Sequence, residues 1–488
     1  MSGFASETWV QLTILHFNDL YEITPVSGGT LGGLARVAAL RQQLLAINPN
    51  TIVTFGGDLY GPSGLAGAVV TGDRLDGKQT VAVMNALGLD YMTFGDHELN
   101  TINAEGFAKR LTESRFTIVA SNLCAADGQP FAAGATTVLA NASLVVTNAQ
   151  GTRLRVGLFG ITKPIRLAQV EHCYVDGLAA AATQVATLRD KVDLLIALTH
   201  QPVADDQVLV QRFPQIDLVL GGDDHQQMKV VTGAGLAPIY KADSNARSVW
   251  VLDLWVNPST GEIQLVDRLV PITAVLPDEP ATLAATEQWV TAAFAHFRAQ
   301  GWEPAAVVAQ APIELDGFES VVRSQRTAFT DLITNGMMIA APGTVLAIIC
   351  SWAVRLDDCI PVGGTITQYD ILRTFSYGRS PVYAVQTPGS LLLEILAFGQ
   401  RKVGSGSYLL TSPNVTGDGA GWQIDGVALD TQASYCVAMA DDLLHDYLFY
   451  INEARAKEVT VVGQYGDIGQ ALIAQLQALA SSVSVATG

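Results

Sequence analysis

Short apolar runs built from Val, Ile, Leu and Phe recur through the first half of the chain: LTILHF, TIVTF, YMTF, TIVAS, LRVGLFGI, DLLIALTH and DLVLGG. Continuous apolar runs of this length predict strands buried on both faces rather than half-exposed ones. Between them lie segments with the spacing of amphipathic helices, GGLARVAALRQQL and AATQVATLRDKV among them. This alternation predicts an α/β layered fold. Strands run to about Asp267, PATLAATEQWVTAAFAHFRAQ predicts one long helix, and a second α/β series follows with TVLAIIC, SPVYAVQ and SYCVAMA as strands. The predicted organisation is a first domain over residues 1–278, a linker helix over 279–305 and a second, smaller domain over 306–488.

Composition narrows the function classes. With 49% hydrophobic and 15% charged residues the chain is far from a disordered composition, and 488 residues exceed one ordinary core. A net charge of −18 excludes a nucleic-acid polymer as partner, because such polymers are held by clustered Lys and Arg. A small phosphorylated substrate remains compatible, since a bound cation reverses the local field. The start, MSGFASETWVQLTILHFND, has neither the basic nor the apolar part of a signal peptide, and no window approaches a membrane span of about 18 apolar residues. Five cysteines without a C-x-x-C pair predict reduced, mostly buried thiols. The balance predicts a cytoplasmic protein; a chain whose leader had been removed would look the same and would be periplasmic or secreted.

The candidate chemistry lies at the strand ends. Asp19 ends LTILHFND, Asp58 ends TIVTFGGD, Asp96 and His97 follow YMTFG, His200 ends LLIALTH, and Asp223 and His225 follow DLVLGG. Functional groups of open α/β sheets collect outside the carboxyl ends of strands, so these residues are predicted to converge. A lone Asp in such a place usually caps a turn, but five strand ends in succession make that reading a repeated coincidence. Converging carboxylates repel by about 4 kcal/mol per close pair at an effective dielectric near 20, so protons or cations must neutralise them. His200 and His225 supply imidazoles suited to a transition metal. His16, on an apolar strand, reads as a satisfied core histidine instead. The segment GDRLDGKQT, Gly72 to Thr80, nearly matches a P-loop, but Gln79 stands where a Mg²⁺-binding hydroxyl is needed, so it reads as the entry to a helix.

The order ILHFND, GGLARVAAL, GGD, GDHE, ASNL, LTHQ and GGDDHQ resembles the calcineurin-like metallophosphoesterase domain of the 5′-nucleotidase family, over roughly Leu12 to Leu254. The resemblance implies a four-layer αββα domain holding two divalent metal ions, joined by a helix to a smaller α/β substrate-binding domain. It implies Asp58 as a bridge between the metals, Asp19 and His225 on one, and Asp96, His200 and Asp223 on the other. His97 would be the catalytic histidine, and the nucleophile a hydroxide activated by the two metals. Four positions depart from the family pattern. Tyr21 stands in place of a His, as a phenolate ligand, a supporting group or neither; Asp96 replaces an Asn, and Asp223 replaces a His. Asn100 takes the place of the Asp that orients the catalytic histidine. The two added carboxylates predict Mn²⁺ or Mg²⁺ ahead of Zn²⁺, Ca²⁺ or Fe, with lowered Lewis acidity.

Residues Leu315 to Leu444 resemble the family's C-terminal domain. The resemblance implies that Arg355 contacts substrate and that Tyr408 stacks on a nucleobase, while Trp352 replaces a glycine and Leu443 falls near a second expected aromatic. The expected function is metal-dependent hydrolysis of a small phosphate ester, with a nucleotide as the first candidate. The alternative is a non-catalytic relative that binds metal or ligand. A P-loop ATPase is a distant third.

Overall fold

A computed structural model describes residues 8–376, 380–418, 421–445, 455 and 457–486. The chain divides into two compact units, Met1–Ala293 and Phe294–Gly488, and the division falls inside the Pro280–Ala299 helix.

The first unit holds two six-stranded sheets. In one, Val10–Phe17 lies between Thr51–Phe55, to which it is parallel, and Ser248–Asn257, to which it is antiparallel. Tyr91–Thr93 and Thr117–Val119 continue the parallel series. In the other, Arg153–Thr162, Leu194–His200, Leu218–Gly222 and Ile239–Lys241 run parallel, and Asn141–Thr147 and Met228–Val230 close the edges antiparallel. The segments that read as continuous apolar runs are the buried parallel strands, Leu194–His200 and Leu218–Gly222 being buried at every position. Helices Gly177–Leu188 and Val203–Arg212 cover the second sheet, where Ala181, Val185 and Leu209 pack on Phe159, Ile161, Ala197 and Val219. Helix Leu34–Ile47 lies against the first.

The inner faces of the two sheets meet without room for side chains at several points. A Cβ on Gly222 would stand 2.5 Å from the Gly56 carbonyl oxygen and 3.0 Å from Asp19 Oδ2, and within the first sheet one on Gly95 would collide with the Asp58 carboxylate. The glycines beside the acidic strand ends are therefore what lets both sets of ends converge. His16 lies fully buried between the sheets. Its Nε2 donates to the Gly221 carbonyl at 3.1 Å, which leaves Nδ1 to accept from Thr54 Oγ1 at 3.0 Å, the satisfied core histidine that the sequence suggests.

The near P-loop match resolves as a two-residue hairpin, Val69–Val70 with Asp73–Arg74, followed by the helix Lys78–Leu87. Without a strand feeding that loop from a parallel sheet, the phosphate cradle is absent from this segment.

The second unit carries a five-stranded sheet in the order Leu409–Thr411, Leu346–Cys350, Ser434–Ala440, Pro381–Pro388, Thr460–Asp467. Helix Gly389–Gln400 packs Leu391, Leu392 and Ile395 into a core with Ile348, Val385 and Val437.

The expectation of five reduced thiols is corrected. Cys124 and Cys173 face each other across the antiparallel pair Leu123–Ala125 and His172–Tyr174, with Cα atoms 5.1 Å apart, and form a disulfide. Forty-nine residues separate them, so nothing in their spacing marks the pair. Thiol titration of the denatured chain without reductant should count three cysteines, Cys350, Cys359 and Cys436, and five after reduction. Burial lowers His16 to about 4. An unfolded chain protonates this group near pH 6.5, whereas the folded one resists until about 4, so its contribution is complete above pH 6.5 and falls away toward 4. The loss is about 3 kcal/mol. Urea titrations at several pH values should show His16→Gln less sensitive than the parent across that window, by that amount.

Candidate metal centre

All the acidic strand ends point to one edge because their strands are parallel. The first sheet brings Asp19, Asp58 and Asp96; the second brings His200, Asp223 and His225. Two ligand groups result. Asp19, Asp58 and His225 form one and Asp58, Asp96 and His200 the other, each with one ligand atom per residue within 4.8 Å of the rest and with Asp58 shared. Asp223 stands outside both, 3.8 Å from His200 Nε2, with its backbone N–H donating to Asp19 Oδ2 at 2.9 Å.

The loops that present these groups are strained in a consistent way. Asp19, Asp58, Asp223 and His225 adopt positive φ, at 51°, 64°, 82° and 56°. Asp tolerates this region better than most residues, and its use at successive strand ends turns each carboxylate back toward the cleft.

The donor chemistry fits cations. His200 Nδ1 donates to the Gly56 carbonyl at 2.7 Å, which leaves Nε2 as the free valence. That atom is fully buried, lacks a hydrogen-bond partner among the described residues, and faces Asp58 Oδ2 at 3.4 Å and Asp96 Oδ1 at 3.6 Å. A lone pair aimed at two carboxylates is repulsive unless a positive charge lies among them. The titration behaviour says the same. Burial pushes His200 down, but Asp58 and Asp19 outweigh it and raise it well above the usual imidazole range. Burial pushes Asp19 up, and His225 and His200 more than reverse it. Burial also opposes ionisation of Asp96, which His97 and Lys163 overcome. In the first group the Tyr21 hydroxyl lies 2.9 Å from His225 Nε2, 3.1 Å from Asp58 Oδ2 and 3.4 Å from Asp19 Oδ1, in contact with every member.

His97 stands at the rim, its Nε2 3.7 Å from Asp58 Oδ2. Its orientation follows from Asn100. The Asn100 amide nitrogen donates to Asp96 Oδ2 at 3.1 Å, so its oxygen faces His97 Nδ1 at 2.9 Å. Nδ1 therefore carries a proton and Nε2 is turned to the cleft. The oxygen of Asn100 thus does the orienting expected of a carboxylate, without the charge.

Three residues that sequence reading passed over build the rest. Glu98, fully buried, accepts backbone N–H bonds from Asp58, Leu59, Tyr60 and Gly95, tying the Asp58 and Asp96 loops together; burial and the neighbouring Asp58 raise it to about 7. Lys241 is fully buried and donates to the carbonyls of Gln201 at 2.5 Å and Gly222 at 2.8 Å, with Asp206 at 3.0 Å and Asp224 as its acids. It clasps the loop after His200 to the loop that carries Asp223 and His225. The third is Lys163, which ion-pairs with both Asp96 and Asp223. It places a positive charge beside the two added carboxylates. A charged residue directly after LFGIT obeys the same strand-end rule as the acids, and is a signal that a search confined to ligands overlooks.

In the second unit, the two candidate substrate contacts are buried within its own packing. Arg355 is 8% exposed and paired with Glu319, which also binds Arg323 at 2.6 Å. Tyr408 is 9% exposed. Leu443, near the place of a second aromatic, is fully buried in the core.

The calcineurin-like phosphoesterase family matches residues 12–227, and the 5′-nucleotidase C-terminal domain matches residues 307–446. The 5′-nucleotidase of Bos taurus is 26% identical over 275 residues, covering 51% of this chain and 45% of that protein, so the chain matches about half the length of this relative. A 5′-nucleotidase precursor from Thermus thermophilus superimposes with a TM-score of 0.75 at 21% identity, over 96% of this chain and 97% of that one. The sulfate thiohydrolase SoxB of the same organism, in complex with glycerol, gives 0.72 at 16% identity over 96% and 94%. These two likenesses show a shared fold. Calcineurin-like phosphoesterases use a dimetal centre, and two ligand groups sharing one aspartate fit that description.

Lys241→Met should lower unfolding free energy by about 3 to 5 kcal/mol, because Asp206 and Asp224 lose their buried cation. Chemical denaturation measures it, and an unchanged midpoint would mean that the clasp contributes nothing.

Proposed function

Since residues 12–227 belong to the calcineurin-like phosphoesterases and residues 307–446 to the 5′-nucleotidase C-terminal domains, we propose that this chain hydrolyses a small phosphate monoester, a nucleotide being the first candidate. The observation that carries the reading is the pair of ligand groups sharing Asp58, with His97 Nε2 3.7 Å from an oxygen of that same residue. Asp19, Asp58 and His225 would hold one divalent ion, and Asp58, Asp96 and His200 a second. Bound there, such ions supply Lewis acidity and a nucleophile at neutral pH.

The chain's own residues do the rest. Asn100 keeps the Nδ1 proton of His97 in place, so that Nε2 can carry a second proton to a phosphoryl or leaving-group oxygen. Glu98 and Lys241 hold the four loops in register, which keeps the ligand atoms at their spacing through a catalytic cycle. Tyr21 directs its hydroxyl into the first group, as a ligand or as a donor to the ligands. Arg355 and Tyr408, both buried within the second unit, remain candidates for substrate contact. The Cys124–Cys173 disulfide supports an oxidising compartment in place of the cytoplasm.

A second reading, metal binding without turnover, draws on Tyr21 lying among the first group's ligands. Protein loaded with Mn²⁺ should hydrolyse a chromogenic phosphate monoester, and Asp58→Asn should abolish both turnover and tight metal retention. His97→Ala should keep its metal, by elemental analysis, while losing about a hundred- to a thousandfold in kcat. Metal uptake with no turnover on monoesters or nucleotides would leave only the second reading.

A further inference from the structure

Asp96 and Asp223 are the two carboxylates by which this centre departs from its family's pattern, and one side chain holds both. Lys163 directly follows the Arg153–Thr162 strand, and its backbone N–H donates to the His200 carbonyl at 2.8 Å, fastening it to the neighbouring strand end. Its ammonium lies 2.9 Å from Asp96 Oδ1 and ion-pairs with Asp223. The same Oδ1 atoms face His200 Nε2, at 3.6 and 3.8 Å. The ammonium therefore shares its oxygens with the position where a divalent ion would bind His200. This is not an exposed ion pair of little consequence: the Lys163 side chain is 27% exposed and those of the two acids 16% and 13%.

Charge counting gives the geometry a purpose. Asp19, Asp58, Asp96 and Asp223 all lie within 4.0 Å of His200 Nε2 and contribute −4, which Lys163 lowers to −3. Without the lysine the full −4 would hold a divalent ion harder, at the expense of its Lewis acidity.

We propose that Lys163 is the resident counter-cation of the second ligand group, present to offset the added carboxylates and to keep the ion there exchangeable. It acts on the metal through Asp96 and Asp223, as a positioning and charge-balancing residue. The inference rests on the metal reading of Asp58, Asp96 and His200. It places the consequence of Lys163 in metal affinity, which a purely structural salt bridge would leave unchanged or weaken.

The test is calorimetric titration of the full chain, stripped with chelator, with Mn²⁺ alone. Lys163→Met should bind its weaker Mn²⁺ at least tenfold more tightly than the parent, and Lys163→Arg should stay within about threefold of it. Asp96→Asn should bind at least tenfold more weakly, and adding Lys163→Met to it should recover most of that loss. That second pair carries the same comparison if Lys163→Met alone does not fold. Equal or weaker Mn²⁺ affinity on removing the lysine, in whichever background folds, overturns the role of Lys163 while leaving the metal centre standing. A parent chain that takes up no Mn²⁺ overturns both.

Discussion

Mutual repulsion among buried carboxylates is the constraint around which the first unit is organised. Asp19 and Asp58 are almost inaccessible to water, and Asp96 and Asp223 are partly buried. Four such charges in a space of a few ångströms are tolerable only with positive charge among them. The structure supplies part of it from the chain, in Lys163 and in the raised basicity of His200, and the two ligand groups could hold metal ions that supply the rest. An acidic centre with its own ammonium is a different electrostatic object from a neutral, histidine-rich one, even where the backbone is the same.

Holding such a cluster together takes more than its ligands. The carboxyl ends of two sheets must come closer than side chains allow, and glycines at 56 and 222 permit that approach. The acids then need backbone conformations that ordinary residues avoid, and several accept positive φ. Loops under that strain would relax outward unless tied, and two buried ionisable groups do the tying. Glu98 collects backbone N–H groups from the Asp58 and Asp96 loops, and Lys241 collects carbonyls from the His200 and Asp223 loops. One cross-tie is a carboxyl group that accepts from donors, and the other is an ammonium that donates to acceptors. Each sits under the loops whose unpaired backbone groups it suits.

The second unit shows how little a local alignment says about exposure. Arg355 and Tyr408 stand at positions that imply contact with a substrate, yet Arg355 is committed to Glu319 and Tyr408 is packed away. Trp352, close against Gly406, fills the space where the family pattern has glycine.

The amino-acid sequence determined the strands, the helices and the parallel order that aligns the acidic strand ends, because apolar periodicity and strand direction are local properties read over a few residues. It therefore also announced that Asp19, Asp58, Asp96, His200, Asp223 and His225 would gather. The pairing of Cys124 with Cys173, the ion pairs of Lys163 with Asp96 and Asp223, the cross-ties through Glu98 and Lys241, and the burial of Arg355 were decided only in three dimensions. Each depends on which atoms come into contact after segments 36 to 60 residues apart have packed. A charge in a sequence carries its sign but not its partner, and at this centre the partner decides whether a carboxylate binds a metal, an ammonium or the backbone.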